Sequence, residues 1–346
     1  MYESFYNLTG KPFQLNPDPS FFFGSRGHNR AFAYLQYGLY QGEGFIVITG
    51  EVGAGKTTIV RNLLENLDRS KVVAAQIVST QLDADDMLRA VGVAFGLPVR
   101  TVSKAVLLGS IEAFLCQIAT ESKRALLVVD EAQNLSHRAV EELRMLSNFQ
   151  LGDQALLQSF LVGQPELRTM MQGPSMQQLR QRVIASYHLG PLDAGEVHAY
   201  IEHRLHHVGW KDDPTFNPAC FPLIHTLSGG IPRRINALCN RLMLAAFLGE
   251  KHSIEPTDVH AIAREMRDEI GGDLQLAAVP VDAAPEAAQP HAQSQSRPHQ
   301  ALTERNQVRR LEERIDRVER TLGATVDLLH NLLHPEKTKP GNPTGQ

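Results

Sequence analysis

Between an apolar run, Phe45–Thr49, and a helix-competent stretch, Thr58–Leu64, the chain reads Gly50-Glu51-Val52-Gly53-Ala54-Gly55-Lys56-Thr57. This is a full G-x-x-x-x-G-K-[ST] signature in the strand–loop–helix context that it needs. The pattern leaves few choices of fold. The apolar run has to be a buried strand, the glycines have to turn the backbone at its carboxyl end, and a helix has to begin directly over the turn. Consecutive N–H groups then point at one place, and the helix dipole adds positive charge there, which suits phosphate. Lys56 is expected to reach β- and γ-phosphates, and the Thr57 hydroxyl to ligate Mg²⁺. Residues Gly50 to Thr58 are therefore the expected nucleotide cradle. A glycine-rich turn that binds nothing would not call for Lys-Thr at its end.

The rest of the chain fits an α/β reading. Five apolar runs, Phe45–Thr49, Val72–Val78, Ala125–Asp130, Ser159–Val162 and Ile184–Leu189, alternate with helical segments, which predicts a parallel sheet covered on both faces. Prolines at 12, 17 and 19 exclude a long helix near the start, and a helical pattern begins at Asn29. After Pro191 no further strands are expected. Helices are expected at Gly195–Val208, Pro218–Ser228, Pro232–Leu248 and Pro256–Arg267, with Pro218, Pro232 and Pro256 in first turns. The expected divisions are 1–40 as an N-terminal linker and first helix, 41–190 as the nucleotide-binding unit and 191–270 as a helical lid. Residues 271–301, dominated by Ala, Pro, Gln, His and Ser, read as a flexible linker, and 335–346 as a disordered tail.

Between them, Val308, Ile315, Leu322 and Leu329 fall seven apart, as do Leu311, Val318, Thr325 and Leu332. About four heptads predict a coiled-coil helix over 302–334, with a lone amphipathic helix folding back on the body as the alternative.

Composition narrows the function classes. A net charge of −4 argues against a globally basic nucleic-acid binder, so no stable nucleic-acid partner is expected. Three cysteines without a CxxC spacing predict free thiols rather than a metal or disulfide framework. The start lacks the charged and apolar regions of a signal peptide. The most apolar helical stretch, Leu238–Leu248, is broken by Asn240 and Arg241, so no membrane span is expected.

A second motif selects the chemistry. Ala125-Leu126-Leu127-Val128-Val129-Asp130-Glu131 would bury a strand and deliver two acids at its carboxyl end. Asp130 is expected to hold the Mg²⁺ shell opposite Thr57, and Glu131 to act as general base toward water. No Asn-Lys-x-Asp sequence supports guanine selection, which favours ATP. Gln164, after Leu161-Val162-Gly163, is a sensor candidate; a plain loop glutamine is the alternative. Arg180 and Arg182 precede the last strand, where either could reach a neighbouring subunit's nucleotide or simply lie on the surface; Arg182 is preferred. Arg233 opens a helix, where the dipole opposes a structural cation, so a contact with the γ-phosphate is expected instead.

Together these residues resemble an AAA+ ATPase. More narrowly, Phe13, Asn16-Pro17-Asp18-Pro19, Phe21-Phe22-Phe23, His28, Asp130-Glu131-Ala132-Gln133-Asn134-Leu135, Leu161-Val162-Gly163-Gln164-Pro165-Glu166-Leu167 and Leu179-Arg180-Gln181-Arg182-Val183 resemble the general secretion pathway protein A family over roughly residues 1–268. Within it the chain is most similar to the ATPase associated with exosortase A, in exopolysaccharide and PEP-CTERM sorting systems. The resemblance implies a P-loop αβα sandwich, an all-helical lid, ATP and Mg²⁺ as ligands, and assembly into homo-oligomers. Typical members carry a membrane helix and a peptidoglycan-binding domain after the ATPase. The linker and heptads here imply instead a cytoplasmic protein, or one peripheral at the inner membrane, whose coil self-associates or docks an envelope partner. The other functions open to such a chain are a nucleotide-gated switch with negligible turnover and a DNA-transaction ATPase of the transposition-helper kind.

Overall fold

The computed structural model describes residues 1–78, 81–99 and 103–270. The linker, coil and tail expected over 271–346 lie outside the described residues. A five-stranded parallel sheet forms the centre. Its strands are β1 (Phe45–Gly50), β2 (Val72–Val78), β3 (Arg124–Asp130), β4 (Leu157–Gly163) and β5 (Val183–Leu189), in the spatial order β2-β3-β4-β1-β5. All five are the runs expected from sequence. Each pair is in parallel register, for instance Ile48 beside Val162 and Val129 beside Leu161.

Alternation along each strand divides the core into two faces. Phe45, Val47, Leu127, Val129 and Leu161 point into one layer, packed under α3 (Ala84–Ala94), α4 (Lys104–Thr120), α5 (His137–Leu146) and α6 (Pro165–Gln172). Ile46, Ile48, Val128, Phe160 and Val162 point into the other, under α1 (Arg26–Gln41) and α2 (Lys56–Glu65). Both faces being covered explains why these strands are nearly continuous apolar runs. Local signals set the helix ends. The Ser25 side chain caps α1 by accepting from His28 N–H, and Gly42 closes it in the left-handed region at φ 75°.

The remaining helices are α7 (Ala194–His207), α8 (Cys220–Ser228), α9 (Pro232–Leu248) and α10 (Pro256–Ile270). A capping box between Asp193 and Glu196 starts α7. Two expectations need correction. Strands do not stop after Pro191: Thr215–Phe216 pairs in parallel with Ser253–Ile254, burying Phe216 and Ile254. Two residues are too short for any periodicity to show. Pro218 is not in a first helical turn, because the Asn217 side chain accepts from Ala219 N–H at 3.0 Å and holds a turn ahead of α8. A short hairpin, Gln150–Leu151 against Gln154–Ala155, also precedes β4.

The first 40 residues serve two cores. Helix α1 packs on the sheet, whereas Tyr2, Tyr6, Leu8, Phe13 and Phe21 are buried with α7 to α10. Arg204 ties this segment down: buried, with no carboxylate partner among the described residues, its guanidinium donates to Pro12 O at 2.5 Å and Gln14 O at 3.3 Å, and lies 4.6 Å from the Phe21 ring centre. Among the described residues no helix is long and apolar enough to cross a membrane.

Candidate active site

The carboxyl ends of β1, β3 and β4 lie side by side, and each delivers one part of the site. After β1 the loop turns through Gly53 and Gly55 at φ 82° and 99°, conformations that L side chains avoid. Space is as restrictive as torsion: a Cβ on Gly53 would lie 2.3 Å from Arg233 Cβ, and one on Gly55 would lie 2.5 Å from His28 Nε2. Gly55 caps α2, which begins at Lys56.

The buried Lys56 ammonium donates to the loop's own carbonyls, Gly50 O at 2.7 Å and Glu51 O at 2.9 Å. Burial lowers its pKa, against the opposing pull of Glu131, Asp130, Glu51 and Glu166. Thr57 Oγ1 donates to Asp130 Oδ2 at 2.9 Å across 73 residues of chain. Burial raises the Asp130 pKa, with the Thr57 hydroxyl and the Glu131 N–H opposing it. These two oxygens are hard donors of the kind Mg²⁺ takes, alongside phosphate oxygens and water. Among the described residues no group of three His, Cys, Asp or Glu side chains could hold a metal by itself.

Glu131 stands at φ 52° just past β3. Its Oε2 accepts from Gln133 Nε2 at 2.6 Å and from Gln164 Nε2 at 3.1 Å. Burial would raise its pKa, but these two donors and Lys56 outweigh it, so the carboxyl is held below its ordinary value. Gln164 thus joins the acid pair from the end of β4.

Arg233 comes from the helical unit. Its backbone N–H donates to Gly53 O at 3.1 Å, so the start of α9 rests directly on the phosphate loop. Its side chain is exposed and lines the same cavity as Val52, Gly53, Gly55, Lys56, Thr57, Thr58 and Glu131.

Arg180 and Arg182 are elsewhere. Because β5 runs parallel to β1, with Val183 beside Phe45 and Leu189 beside Gly50, both arginines sit at the opposite end of the sheet. The strand between spans roughly 20 Å. Arg182 donates to Ser147 O at 2.9 Å, to Ser147 Oγ at 2.8 Å and to Asn148 Oδ1, at the carboxyl end of α5. Arg180 donates to Met171 O and, at 2.7 Å, to Gly173 O, at the carboxyl end of α6. Neither is brought to the phosphate loop of its own chain.

Three contributors had no role assigned from the residues alone. His28 donates through Nε2 to Ala54 O at 3.0 Å, since a carbonyl can only accept; Nδ1 therefore accepts from the Ser25 hydroxyl at 2.6 Å. Burial lowers its pKa and favours this neutral tautomer. Gln133 links Glu131 to β4. The segment Asn16–Phe23, with Tyr200 and Arg204, walls the far side of the cavity. Only the resemblance carried by His28, Gln133 and the aromatic run pointed toward them.

Residues 39–171 match the family model described as AAA domain. The fold is that of a P-loop AAA+ ATPase. General secretion pathway protein A of Aeromonas hydrophila is 40% identical over 273 residues, 78% of this chain and 50% of that one, so the chain spans about half the length of this curated relative. Among solved structures, the ORC2 protein of Aeropyrum pernix in ADPNP–ADP complexes aligns over 74% of this chain and 71% of that one, with 20% identity and a TM-score of 0.57. Cdc6p of Pyrobaculum aerophilum aligns over 75% and 71%, with 17% identity and a TM-score of 0.58. The AAA+ fold implies nucleotide binding.

Proposed function

We propose that the chain is a Mg²⁺-dependent ATPase that hydrolyses ATP and works in envelope secretion, in exopolysaccharide export or exosortase-linked protein sorting. The observation that carries the hydrolytic reading is the convergence of Lys56, the Thr57–Asp130 pair and Glu131 on one cavity at the carboxyl end of the sheet. The likeness to general secretion pathway protein A supports the setting in secretion, and the resemblance to the exosortase-associated ATPases supports the narrower pathway.

In this reading the loop N–H groups take the phosphates and Lys56 exchanges its two carbonyl partners for phosphate oxygens. Thr57 and Asp130 would hold Mg²⁺, which would supply charge neutralisation at the phosphates. Glu131 accepts a proton from the attacking water, Gln164 orients water or the γ-phosphate, and Arg233 reports phosphate occupancy to the helical unit. Arg182, with Arg180 as the substitute, acts on the nucleotide of a neighbouring copy in a homo-oligomer. Residues 41–190 form the nucleotide-binding unit and 191–270 the lid. The chain works with copies of itself or docks an envelope partner, from the cytoplasm or at the inner-membrane surface.

Phosphate release by the purified protein tests the core of this reading. Lys56→Ala is expected to abolish nucleotide binding. Glu131→Gln is expected to keep ATP bound while turnover falls about 10²- to 10⁴-fold. Normal turnover by Glu131→Gln would remove the catalytic assignment. The second reading, a nucleotide-gated switch, is favoured by the direct seat of α9 on Gly53. It predicts nucleotide-dependent lid movement with negligible phosphate release, with or without partners.

A further inference from the structure

We propose that Gln133 is a positioning residue that fixes the carboxylate of Glu131 to the end of β4 and so decides which oxygen receives the proton from water. The inference rests on the hydrolytic reading of this site and deepens it.

The carboxamide of Gln133 bridges two groups that leave it a single orientation. Its Oε1 lies 2.9 Å from the backbone N–H of Gln164. A backbone N–H can only donate, so the oxygen of the amide has to face it. The NH₂ is then turned toward Glu131, and Nε2 stands 2.6 Å from Oε2. The backbone of β4 thereby sets the direction of a donor on β3's exit loop. Gly163 permits this approach: a Cβ there would lie 2.7 Å from Gln133 Oε1 and 2.9 Å from Leu167 Cδ2.

The Gln164 side chain converges on the same oxygen at 3.1 Å. Both donors therefore load Oε2, and among the described residues none is directed at Oε1. A carboxylate with one oxygen saturated by donors keeps its basic lone pairs on the other, so Oε1 is the proton acceptor. The two glutamines differ in permanence. Gln164 holds Glu131 through its side chain alone and can leave for a γ-phosphate. Gln133 is anchored to main chain and stays, so Glu131 remains oriented when the sensor side chain departs. The exit from β3 needs such a hold, because Glu131 is a non-glycine residue at φ 52° that a loose loop would relax.

The experiment compares the full chain with Gln133→Ala and with Gln133→Glu. The glutamate keeps the size and the acceptor for Gln164 N–H but cannot donate to Glu131. Both variants are expected to bind a fluorescent ATP analogue within about threefold of the parent, which also reports that they are folded, while turnover falls about tenfold or more. Parental turnover in both variants, or faster turnover in either, would overturn the positioning role. Glu131→Gln is the control that separates the two levels. If Glu131→Gln is inactive and Gln133→Ala behaves as the parent, hydrolysis stands and the positioning role fails. If Glu131→Gln turns over normally, the hydrolytic assignment itself fails.

Discussion

At the carboxyl end of the sheet, polar groups are satisfied by partners that a ligand can replace. Lys56 rests on two loop carbonyls, Thr57 on Asp130, and Glu131 in part on the Gln164 side chain. At the amino end, three arginines close helices. Arg182 and Arg180 bind the ends of α5 and α6, and Arg124 donates to Leu39 O and Tyr40 O, both at 2.9 Å, at the end of α1. A cation there meets the negative end of a helix and its unpaired carbonyls, so the contact is self-sufficient. One end of the same sheet is left ready for exchange, and the other is fastened. The fastening bears on the trans role of Arg182: to reach a neighbour it has to give up Ser147 and Asn148, or the neighbour's nucleotide has to come to it there.

The comparison can be broken most forcefully at the exchange end. Gly53→Ala forces a Cβ against Arg233 and an L residue into φ 82°, which together should cost about 2–4 kcal/mol. Thermal unfolding without nucleotide would measure it, and an unshifted midpoint would mean that α9 does not rest on the loop in solution. At the fastened end, Arg182→Ala removes charged donors from Ser147 and should cost about 1–2 kcal/mol, a smaller loss. The same variant discriminates cap from finger: a pure cap keeps turnover in the folded protein, whereas a finger loses turnover with binding intact. In the second case, mixing with Lys56→Ala protein should restore some activity, by pairing an intact arginine with an intact loop.

The smallest effect has the opposite sign. The folded-state pKa of Asp130 is raised, so its ionisation opposes folding, and the stability present at low pH is lost as pH rises toward neutrality. Asp130→Asn should therefore stabilise the nucleotide-free protein near neutral pH by about 1 kcal/mol while weakening Mg²⁺-dependent nucleotide binding. A lower unfolding midpoint for Asp130→Asn would show that Thr57 and Lys56 more than offset the burial of this carboxylate.

The difference between the two ends also explains what was readable in the chain. Phe45–Gly50 and Arg124–Asp130 announce themselves because strands buried on both faces tolerate only apolar residues, and the loop because its glycines answer to sterics. Gln164 was legible as polar at a strand end, but its partner was not, since Gln133 meets it only through the β3–β4 pairing. Arg180 and Arg182 show their charge in the sequence but not what holds it: Arg182 reaches Ser147, 35 residues earlier, and Arg180 folds back onto Met171 and Gly173 at the end of the helix before it. Tyr2, Tyr6, Phe13 and Phe21 are visibly aromatic, yet nothing in their spacing says that they join the helical core rather than the sheet core that Phe22 packs against.

That last placement has a consequence for biosynthesis. Tyr2 OH donates to Asn240 Oδ1 at 2.9 Å, a contact between residues 238 apart. A chain emerging from the ribosome can assemble the sheet and its flanking helices once β5 has appeared. Its leading aromatic segment has no native surface to occupy until α7 to α10 follow. Those side chains stay exposed until the helices that cover them have been made. Such late, long-range closure is slow and open to aggregation, which makes this segment the point where a chaperone would act.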